Sequence, residues 1–175
     1  ICPLHGPVLV GDEIANAVAK YDIWSGYKVE SPGVCIAYTS VYGHTKEAAL
    51  LLKEELLKRG CPKVACSDLA RDDMPETVED AFRYGTLALC PTAYNGEAFP
   101  FMRTFIEHLA ERNFRKRTVA FVENGSWAPA ATRAMKGLLA GCADLAFAET
   151  EVTIRGALDD AARARIAALA EELAK

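Results

Sequence analysis

Two hydroxyl residues, Ser40 and Thr45, bracket a glycine-containing turn in the first third of the chain. The apolar residues before this turn and the leucine-rich run 46–59 after it predict a buried strand that opens onto a helix. The first N–H groups of a helix lack backbone acceptors and lie at its positive end, so they suit a phosphate dianion without a lysine. Gly43 lets the backbone approach such a group closely. The turn therefore predicts a phosphate site with these contacts: Ser40, Val41, Tyr42, Gly43, His44 and Thr45.

A simpler interpretation of the turn stays open. Ser40 or Thr45 can be the N-cap of an ordinary strand-to-helix connection, which is what most such residues do. His44 is either an additional cation for the phosphate or a solvent-exposed side chain. The choice between the two interpretations depends on other parts of the chain.

Two further junctions favour a ligand site. The apolar run 86–90 continues into the polar and aromatic segment 91–100, and the apolar run 118–122 continues into 123–128. In an open parallel sheet, ligands bind outside the carboxyl ends of the strands, where the strand order reverses. Three elaborate loops at three such ends predict one ligand, with its phosphate on the first loop and a flat ring between the other two. The predicted ring contacts are Pro91, Thr92, Ala93, Tyr94, Asn95, Gly96, Asn124, Gly125, Ser126 and Trp127.

Two aromatic residues are predicted to cover the faces of that ring. Trp127 lies between Gly125-Ser126 and Ala128-Pro129, in a loop at a strand end, so we expect it to stack on one face. Tyr94 is the choice for the other face, and residues 91–96 would offer backbone groups to the polar edge of the ring. The alternative for each is an ordinary packing or surface aromatic. Glu97 and Glu123 are usually solvated charges, but near the ring they would disfavour an added negative charge.

The alternation of short apolar runs with amphipathic segments predicts an α/β fold. We expect strands near 34–38, 64–67, 86–90, 118–122 and 145–153, and helices near 44–59, 75–84, 98–111, 128–140 and 159–174. These five units predict a doubly wound, five-stranded parallel sheet in the order 2-1-3-4-5, with helices on both faces. Residues 1–30 are expected to form a separate strand, turn and helix, joined by the linker 30–33.

Composition and charge exclude several classes of protein. With 175 residues, 51% of them apolar and no long uncharged apolar window, the chain is expected to form one domain with an appendage and no membrane span. The net charge of −4 argues against nucleic acid as a partner. The basic cluster 112–117 is predicted to be a solvated helix end.

Six cysteines and three histidines complete the reactive side chains. No cysteine pair has the C-x-x-C spacing of a zinc or dithiol site, so we expect reduced, mostly buried thiols and a cytoplasmic location. Cys90, at the start of a loop, is the one thiol expected near a ligand. No histidine has the serine, cysteine and acid partners of a recognisable hydrolase.

The first loop resembles the phosphate loop of the flavodoxin family, with His44 where asparagine is more usual. Pro91-Thr92 with Asn95-Gly96, and Gly125-Ser126-Trp127, are similar to the flavodoxin domain of the A-type flavoproteins, or flavodiiron proteins. The segments 1–7 and 21–25 resemble the last strand, loop and helix of the metallo-β-lactamase-like diiron domain that precedes it there. Cys90 and Tyr94 depart from the family, which tends to have serine and asparagine at these positions.

The resemblance implies FMN as the cofactor, bound by the three loops, and electron transfer as the function. It divides the chain into residues 1–30, a remnant of the metallo-β-lactamase-like domain with a linker, and residues 31–175, a flavodoxin-like FMN-binding domain. The parent would be a longer oxygen or nitric oxide reductase, served by a reductase or rubredoxin-like donor and assembled as a head-to-tail homodimer. His5 would be the last metal ligand of the missing domain, so no diiron centre is expected in this chain.

The sequence lacks the motifs of other classes of nucleotide-binding protein. The chain has neither the G-x-G-x-x-G of a dinucleotide-binding unit nor the phosphate loop of a nucleotide triphosphatase. A phosphoacceptor receiver domain needs an aspartate at the end of its third strand, where this chain has Cys90. Two alternatives stay open: a stand-alone FMN-dependent NAD(P)H:acceptor oxidoreductase and a flavin-free flavodoxin-like interaction domain.

Overall fold

A computed structural model describes residues 1–127 and 129–174. In chain order its strands are β1 (Ser31–Tyr38), β2 (Val64–Asp68), β3 (Tyr84–Cys90), β4 (Ala93–Tyr94), β5 (Glu97–Ala98), β6 (Thr118–Asn124), β7 (Ala146–Phe147) and β8 (Val152–Ile154). Its helices are α1 (Asp12–Ser25), α2 (His44–Lys58), α3 (Met74–Arg83), α4 (Pro100–Glu111), α5 (Ala131–Leu139) and α6 (Asp160–Leu173). The predicted start of the fifth helix at Ala128 lies outside the described residues.

The predicted sheet order is confirmed. All strands of the main sheet are parallel and follow the order β2-β1-β3-β6-β7, with β8 also paired to β6. The predicted fifth strand 145–153 is wrong in one respect, because it consists of β7 and β8, which pair with different halves of β6. Between them the N–H groups of Glu149 and Thr150 donate to the carboxylate of Glu172 instead of to a neighbouring strand. The carboxylate of Glu172 thus takes the place of strand-to-strand hydrogen bonds between β7 and β8.

Helices cover both faces of the sheet, as predicted. Along β1 the buried side chains alternate, with Ile36 in the cluster that includes residues of α2 and α6. Cys35 belongs to the opposite cluster, which includes residues of α3, α4 and α5. This alternation follows from the two-residue period of a strand. The sheet is therefore buried on both faces, as parallel sheets are.

Helix α2 forms for reasons visible in the sequence. Ala48, Leu52 and Leu56 recur every four residues and are all buried. Gly60, with φ of 82°, lies just past the helix end, where a left-handed residue favours glycine. Among the described residues, no helix is long and apolar enough to cross a membrane.

The N-terminal segment differs from its prediction. Residues 1–11 contain no strand, although Ile1 and Leu9 exchange backbone hydrogen bonds at 2.9 Å. A single such pair does not make a ladder, and no further strand lies beside it in the described part of the chain. The helix is present as α1, but the predicted linker 30–33 is wrong, because Ser31 pairs with Tyr84 and begins β1.

The basic cluster 112–117 is also only partly solvated. Arg112 is exposed as predicted, but Arg117 is 3% exposed. Its guanidinium donates to the backbone carbonyl oxygens of Tyr27, Lys28, Phe82, Arg115 and Lys116. These carbonyls replace the water that a buried cation loses. Arg117 thereby connects the residues after α1, the end of α3 and the start of β6.

Candidate functional site

The three predicted loops meet at the carboxyl ends of β1, β3 and β6. The N–H of Thr39 donates to the carbonyl of Cys90 at 3.1 Å, which joins the first loop to the second. The N–H of Asn124 donates to the carbonyl of Pro91 at 3.0 Å, which joins the third loop to the second. The strand order reverses between β1 and β3, so this junction is the switch point of the sheet.

The start of α2 supplies backbone donors at this junction. Gly43 is the N-cap and has φ of 96°, a left-handed conformation that favours glycine. The first helical bond runs from the N–H of Glu47 to the carbonyl of Gly43 at 2.9 Å. The N–H groups of residues 44–46 therefore precede the first intrahelical donor and suit an anion. The N–H of Gly43 itself donates to Ser40 Oγ at 3.1 Å, and His44 is exposed.

Three threonine hydroxyls join the first and second loops. Thr92 Oγ1 donates to the carbonyl of Thr39 at 3.1 Å, and the N–H of Thr92 donates to Thr39 Oγ1 at 3.3 Å. Thr45 Oγ1 lies 3.0 Å from Thr92 Oγ1. Because the Thr92 proton is used on a carbonyl, Thr45 is the donor of this pair. Donation from Thr45 to a phosphate therefore requires its hydroxyl to rotate away from Thr92.

The second loop is a small hairpin. Strands β4 and β5 pair antiparallel through Tyr94 and Glu97, and the two residues between them, Asn95 and Gly96, have φ of 51° and 76°. Asn-Gly is the strongest short hairpin signal, because a two-residue turn of this hand needs positive φ at both positions. The sequence contains this signal, so the prediction of a simple loop for residues 91–100 is incomplete. The hairpin leaves Tyr94 57% exposed, with its ring 5.5 Å from that of Phe99.

Two adjoining cavities lie among these loops. One, of about 220 Å³, is bordered by the first loop together with Thr92, Ala93, Asn124, Gly125, Ser126 and Gly156. The other, of about 260 Å³, is bordered by residues 93–96 and 125–127. Every residue predicted as a ligand contact except Gly43 and Pro91 lines one of the two. Tyr94 and Trp127 border the same cavity, and Trp127 is 95% exposed.

Sequence reasoning missed two residues of this site. Thr39 is fully buried and joins two loops, and no sequence pattern singled it out. Gly156 lies after β8 with φ of 96°, borders the first cavity and is held by the side chain of Asn124. The sequence signal for Gly156 was an isolated glycine between a short strand and a helix. Such glycines are too common to indicate a binding site.

The fold of this chain resembles those of several solved proteins. The sequence matches no family model and no curated protein. Rubredoxin oxygen:oxidoreductase from the anaerobe Desulfovibrio gigas is similar over 93% of this chain, with a TM-score of 0.85 and 18% identity. The flavodiiron protein from Giardia intestinalis is similar over 94% of it, with a TM-score of 0.85 and 19% identity. A flavodoxin from the domain Archaea is similar over 81% of it, with a TM-score of 0.70 and 13% identity.

The chain has a flavodoxin-like fold. It spans 40% of the length of the first two solved chains and 96% of that of the archaeal flavodoxin. The first two structures are similar over 93% and 94% of this chain, which is more than the 81% of the archaeal flavodoxin.

Cys90 and Glu123 have other roles than expected, whereas Glu97 is a solvated charge, which is one of its two predicted roles. Cys90 is fully buried, and burial raises the pKa of its thiol well above the usual value, so it is an inert core residue. Glu123 is buried and accepts hydrogen bonds from the N–H of Thr132 at 2.9 Å and from Thr153 Oγ1 at 3.1 Å. It stabilises the first turn of α5 and borders neither cavity. Glu97 is exposed and lies 3.5 Å from Arg103.

Proposed function

We propose that this chain binds FMN across the carboxyl ends of β1, β3 and β6 and acts as an electron-transfer module. The observation that carries the proposal is a continuous path from unpaired N–H groups at the start of α2 to a cavity bordered by two aromatic side chains. FMN has the same order of parts, with a dianionic phosphate at one end and a flat ring at the other. The similar solved structures also support FMN binding, because they include a flavodiiron protein and a flavodoxin.

The phosphate would lie at the first loop. Ser40, Val41, Tyr42, His44 and Thr45 border the smaller cavity, and the helix start adds backbone donors. Hydrogen bonds from neutral donors to a charged acceptor contribute roughly 1.5–3 kcal/mol each. The phosphate is thus expected to supply most of the preference of this site for FMN over riboflavin.

The ring would lie in the larger cavity, between Trp127 and Tyr94. The hairpin turn at Asn95-Gly96 and the backbone of Gly125 and Ser126 would face its polar edge. When bound, FMN supplies the capacity to accept and release one or two electrons. The residues of this chain hold the phosphate, fix the position of the ring and exclude water from its covered face.

This module would belong to a longer protein. We propose residues 1–30 as the end of a metallo-β-lactamase-like diiron domain, residues 31–175 as the FMN domain, and a reductase or rubredoxin-like protein as the electron donor. Helix α1 supports this division, since none of its residues is buried and Tyr21 is 71% exposed. Contact between the flavin and the irons would come from a head-to-tail homodimer. The six free cysteines support a reducing compartment such as the cytoplasm.

Calorimetric titration with FMN and riboflavin tests the proposal. We expect FMN to bind about two orders of magnitude more tightly, because a couple of charge-assisted hydrogen bonds are lost with the phosphate. Thr45→Ala should weaken FMN binding and leave riboflavin binding nearly unchanged, whereas Thr45→Ser should retain FMN. Thr104→Ala, in an exposed position on α4, is the matched control. Equal affinities for the two flavins would remove the phosphate assignment.

Two simple measurements separate the alternatives. A protein that stays colourless and binds neither flavin would be a flavin-free interaction domain. Rapid NADH oxidation with a quinone as acceptor would identify a stand-alone oxidoreductase. An electron-transfer module should instead accept electrons from a reductase or a rubredoxin-like protein and show no such turnover.

A further inference from the structure

Another cavity, of about 470 Å³, lies at the opposite end of the sheet from the proposed FMN site. Its walls come from Trp24 near the end of α1, from residues 27–30 after it, from the end of α3 and from Arg117 just before β6. Its volume falls within the range of about 300–1,000 Å³ that is typical of small-molecule sites. Neither the proposed function nor the flavin chemistry uses it.

Three of the eight residues that line this cavity are aromatic, and the other five are charged. Trp24, Tyr27 and Phe82 line it, and the rings of Tyr27 and Phe82 lie 6.3 Å apart with a tilted geometry. Phe82 is in turn held edge-on by buried Phe114 at 5.3 Å. Rings at these separations contact one another and together form an apolar surface against which a flat aromatic group can pack.

Among the described residues that line the cavity, Arg117 is the one cation without a carboxylate within 4.0 Å. The other charged wall residues form ion pairs: Lys28 with Asp22 at 2.5 Å, Glu30 with Lys20 at 4.0 Å, and Arg83 with Glu79. Arg83 also meets Asp80, while Arg115 lies over the Tyr27 ring at 4.9 Å and adds positive charge on that side. Arg117 has no acidic side chain within 4.0 Å in the described part of the chain and donates only to carbonyl oxygens.

Arg117 is also incompletely satisfied. Its Nε is buried and has no hydrogen-bond partner among the described residues. Burial lowers the pKa of its guanidinium, which means that the surroundings disfavour its charge. A negative group in the adjacent cavity would compensate for this.

We propose that this cavity binds a small aromatic monoanion, with its ring among Trp24, Tyr27 and Phe82 and its charge toward Arg117. A single acidic group matches Arg117, the one wall cation without a carboxylate partner among the described residues, and the positive charge of Arg115 nearby adds to the attraction. Because the walls come both from the segment after α1 and from the α/β domain, such a ligand would stabilise the position of α1 against the sheet.

The test uses 1-naphthoate as the probe and 1-naphthylmethanol as its uncharged counterpart, in the isotope-labelled chain. We expect saturable shifts in the backbone amide signals of residues 26–30, 82–85 and 116–118, and binding of the alcohol about ten-fold weaker or worse. Trp24→Ala should weaken naphthoate binding by about ten-fold through loss of one wall. Tyr21→Ala, an exposed aromatic on the same helix that does not line the cavity, should leave it unchanged.

Other results would overturn the proposal. These are equal affinities for 1-naphthoate and 1-naphthylmethanol, or the same loss of naphthoate affinity in Trp24→Ala and Tyr21→Ala. Amide shifts confined to residues 40–45 and 124–126, or no saturation at millimolar naphthoate, would also overturn it. Trp24, Tyr21 and the amide signals expected to shift lie away from the flavin loops, so these results can be told apart from a failure of FMN to bind.

Discussion

The side-chain amide of Asn124 makes two hydrogen bonds with the backbone of Gly156. Its Nδ2 donates to the Gly156 carbonyl at 2.9 Å, and the Gly156 N–H donates to its Oδ1 at 3.0 Å. The end of β6 is thereby fixed to the loop after β8, and both residues border the cavity next to Ser40. Because Nδ2 and Oδ1 are each engaged with Gly156, we expect Asn124 to act on FMN by positioning Gly156, with one amide hydrogen left for the ligand.

Asn124→Ala should therefore weaken FMN binding by about ten-fold, since two hydrogen bonds of roughly 1 kcal/mol each hold this loop. Asn124→Asp should weaken FMN binding further, because a carboxylate cannot donate to the Gly156 carbonyl and repels the dianionic phosphate. Titration calorimetry measures both, with Asn16→Ala on exposed α1 as the control. Unchanged FMN affinity in Asn124→Ala would show that this link does not position the site.

Thr92→Val should weaken FMN binding and also lower the free energy of unfolding by roughly 1–2 kcal/mol. The substitution removes the hydroxyl that donates to the Thr39 carbonyl and accepts from Thr45. Urea denaturation without flavin measures the stability effect, and titration measures the binding effect. Thr104→Ser serves as the reference. A variant with unchanged stability would show that the link between the two loops contributes nothing.

Trp127 should become protected when FMN binds. The indole is 95% exposed, so its fluorescence should be strongly quenched by iodide in the free protein and lost through contact with the flavin in the complex. Trp24→Phe removes the other tryptophan and makes the measurement specific. Trp127→Ala should loosen FMN by about ten-fold or more. Unchanged emission at saturating FMN would leave the covered face of the ring unassigned.

Stability should fall in alkaline solution. Burial raises the thiol pKa of Cys66 to about 11, and it raises the thiol pKa values of Cys35 and Cys90 still further. Burial is also the main reason that the phenol pKa of Tyr38 is raised to about 12. The unfolded chain releases these protons first, from the ordinary thiol value of 9.0, so it binds fewer protons than the folded chain. Stability is therefore complete below about pH 8 and declines as pH rises through the folded pKa values.

Urea midpoints at about pH 8 and about pH 10 in the presence of a reductant measure this decline. Cys90→Ala should make the decline smaller, because one buried thiol no longer differs between the two states. Cys2→Ala, which changes an exposed thiol, should leave it unchanged. The same slope in both variants would contradict the assignment to buried thiols.

Arg117→Met should destabilise the protein by roughly 2–4 kcal/mol, because five carbonyl oxygens lose a charged donor. Arg117→Lys should recover only part of this, since an ammonium group has fewer donors and a different geometry. Arg112→Met in the same cluster is the control and should cost little, because Arg112 is exposed. Thermal unfolding of the three variants separates a buried anchor from a solvated cation.

The sequence alone determined the order of the sheet, the helix after the first loop and the position of the three loops at one end. These features depend on local patterns: the period of apolar residues, the glycine that ends α2, and the reversal rule for parallel strands. The hairpin at Asn95-Gly96 also had a local signal, which makes its omission a failure of interpretation rather than of information.

Only the tertiary structure decided how the loops are tied together and which polar residues are buried. The Thr39–Thr92 and Asn124–Gly156 pairs join residues 53 and 32 positions apart, and Arg117 reaches Tyr27 across 90 positions. No local period relates such residues, because their contact follows from packing of the whole sheet. The division of the fifth strand is of the same kind, since Glu172 on α6 supplies the acceptors that replace the ladder between β7 and β8.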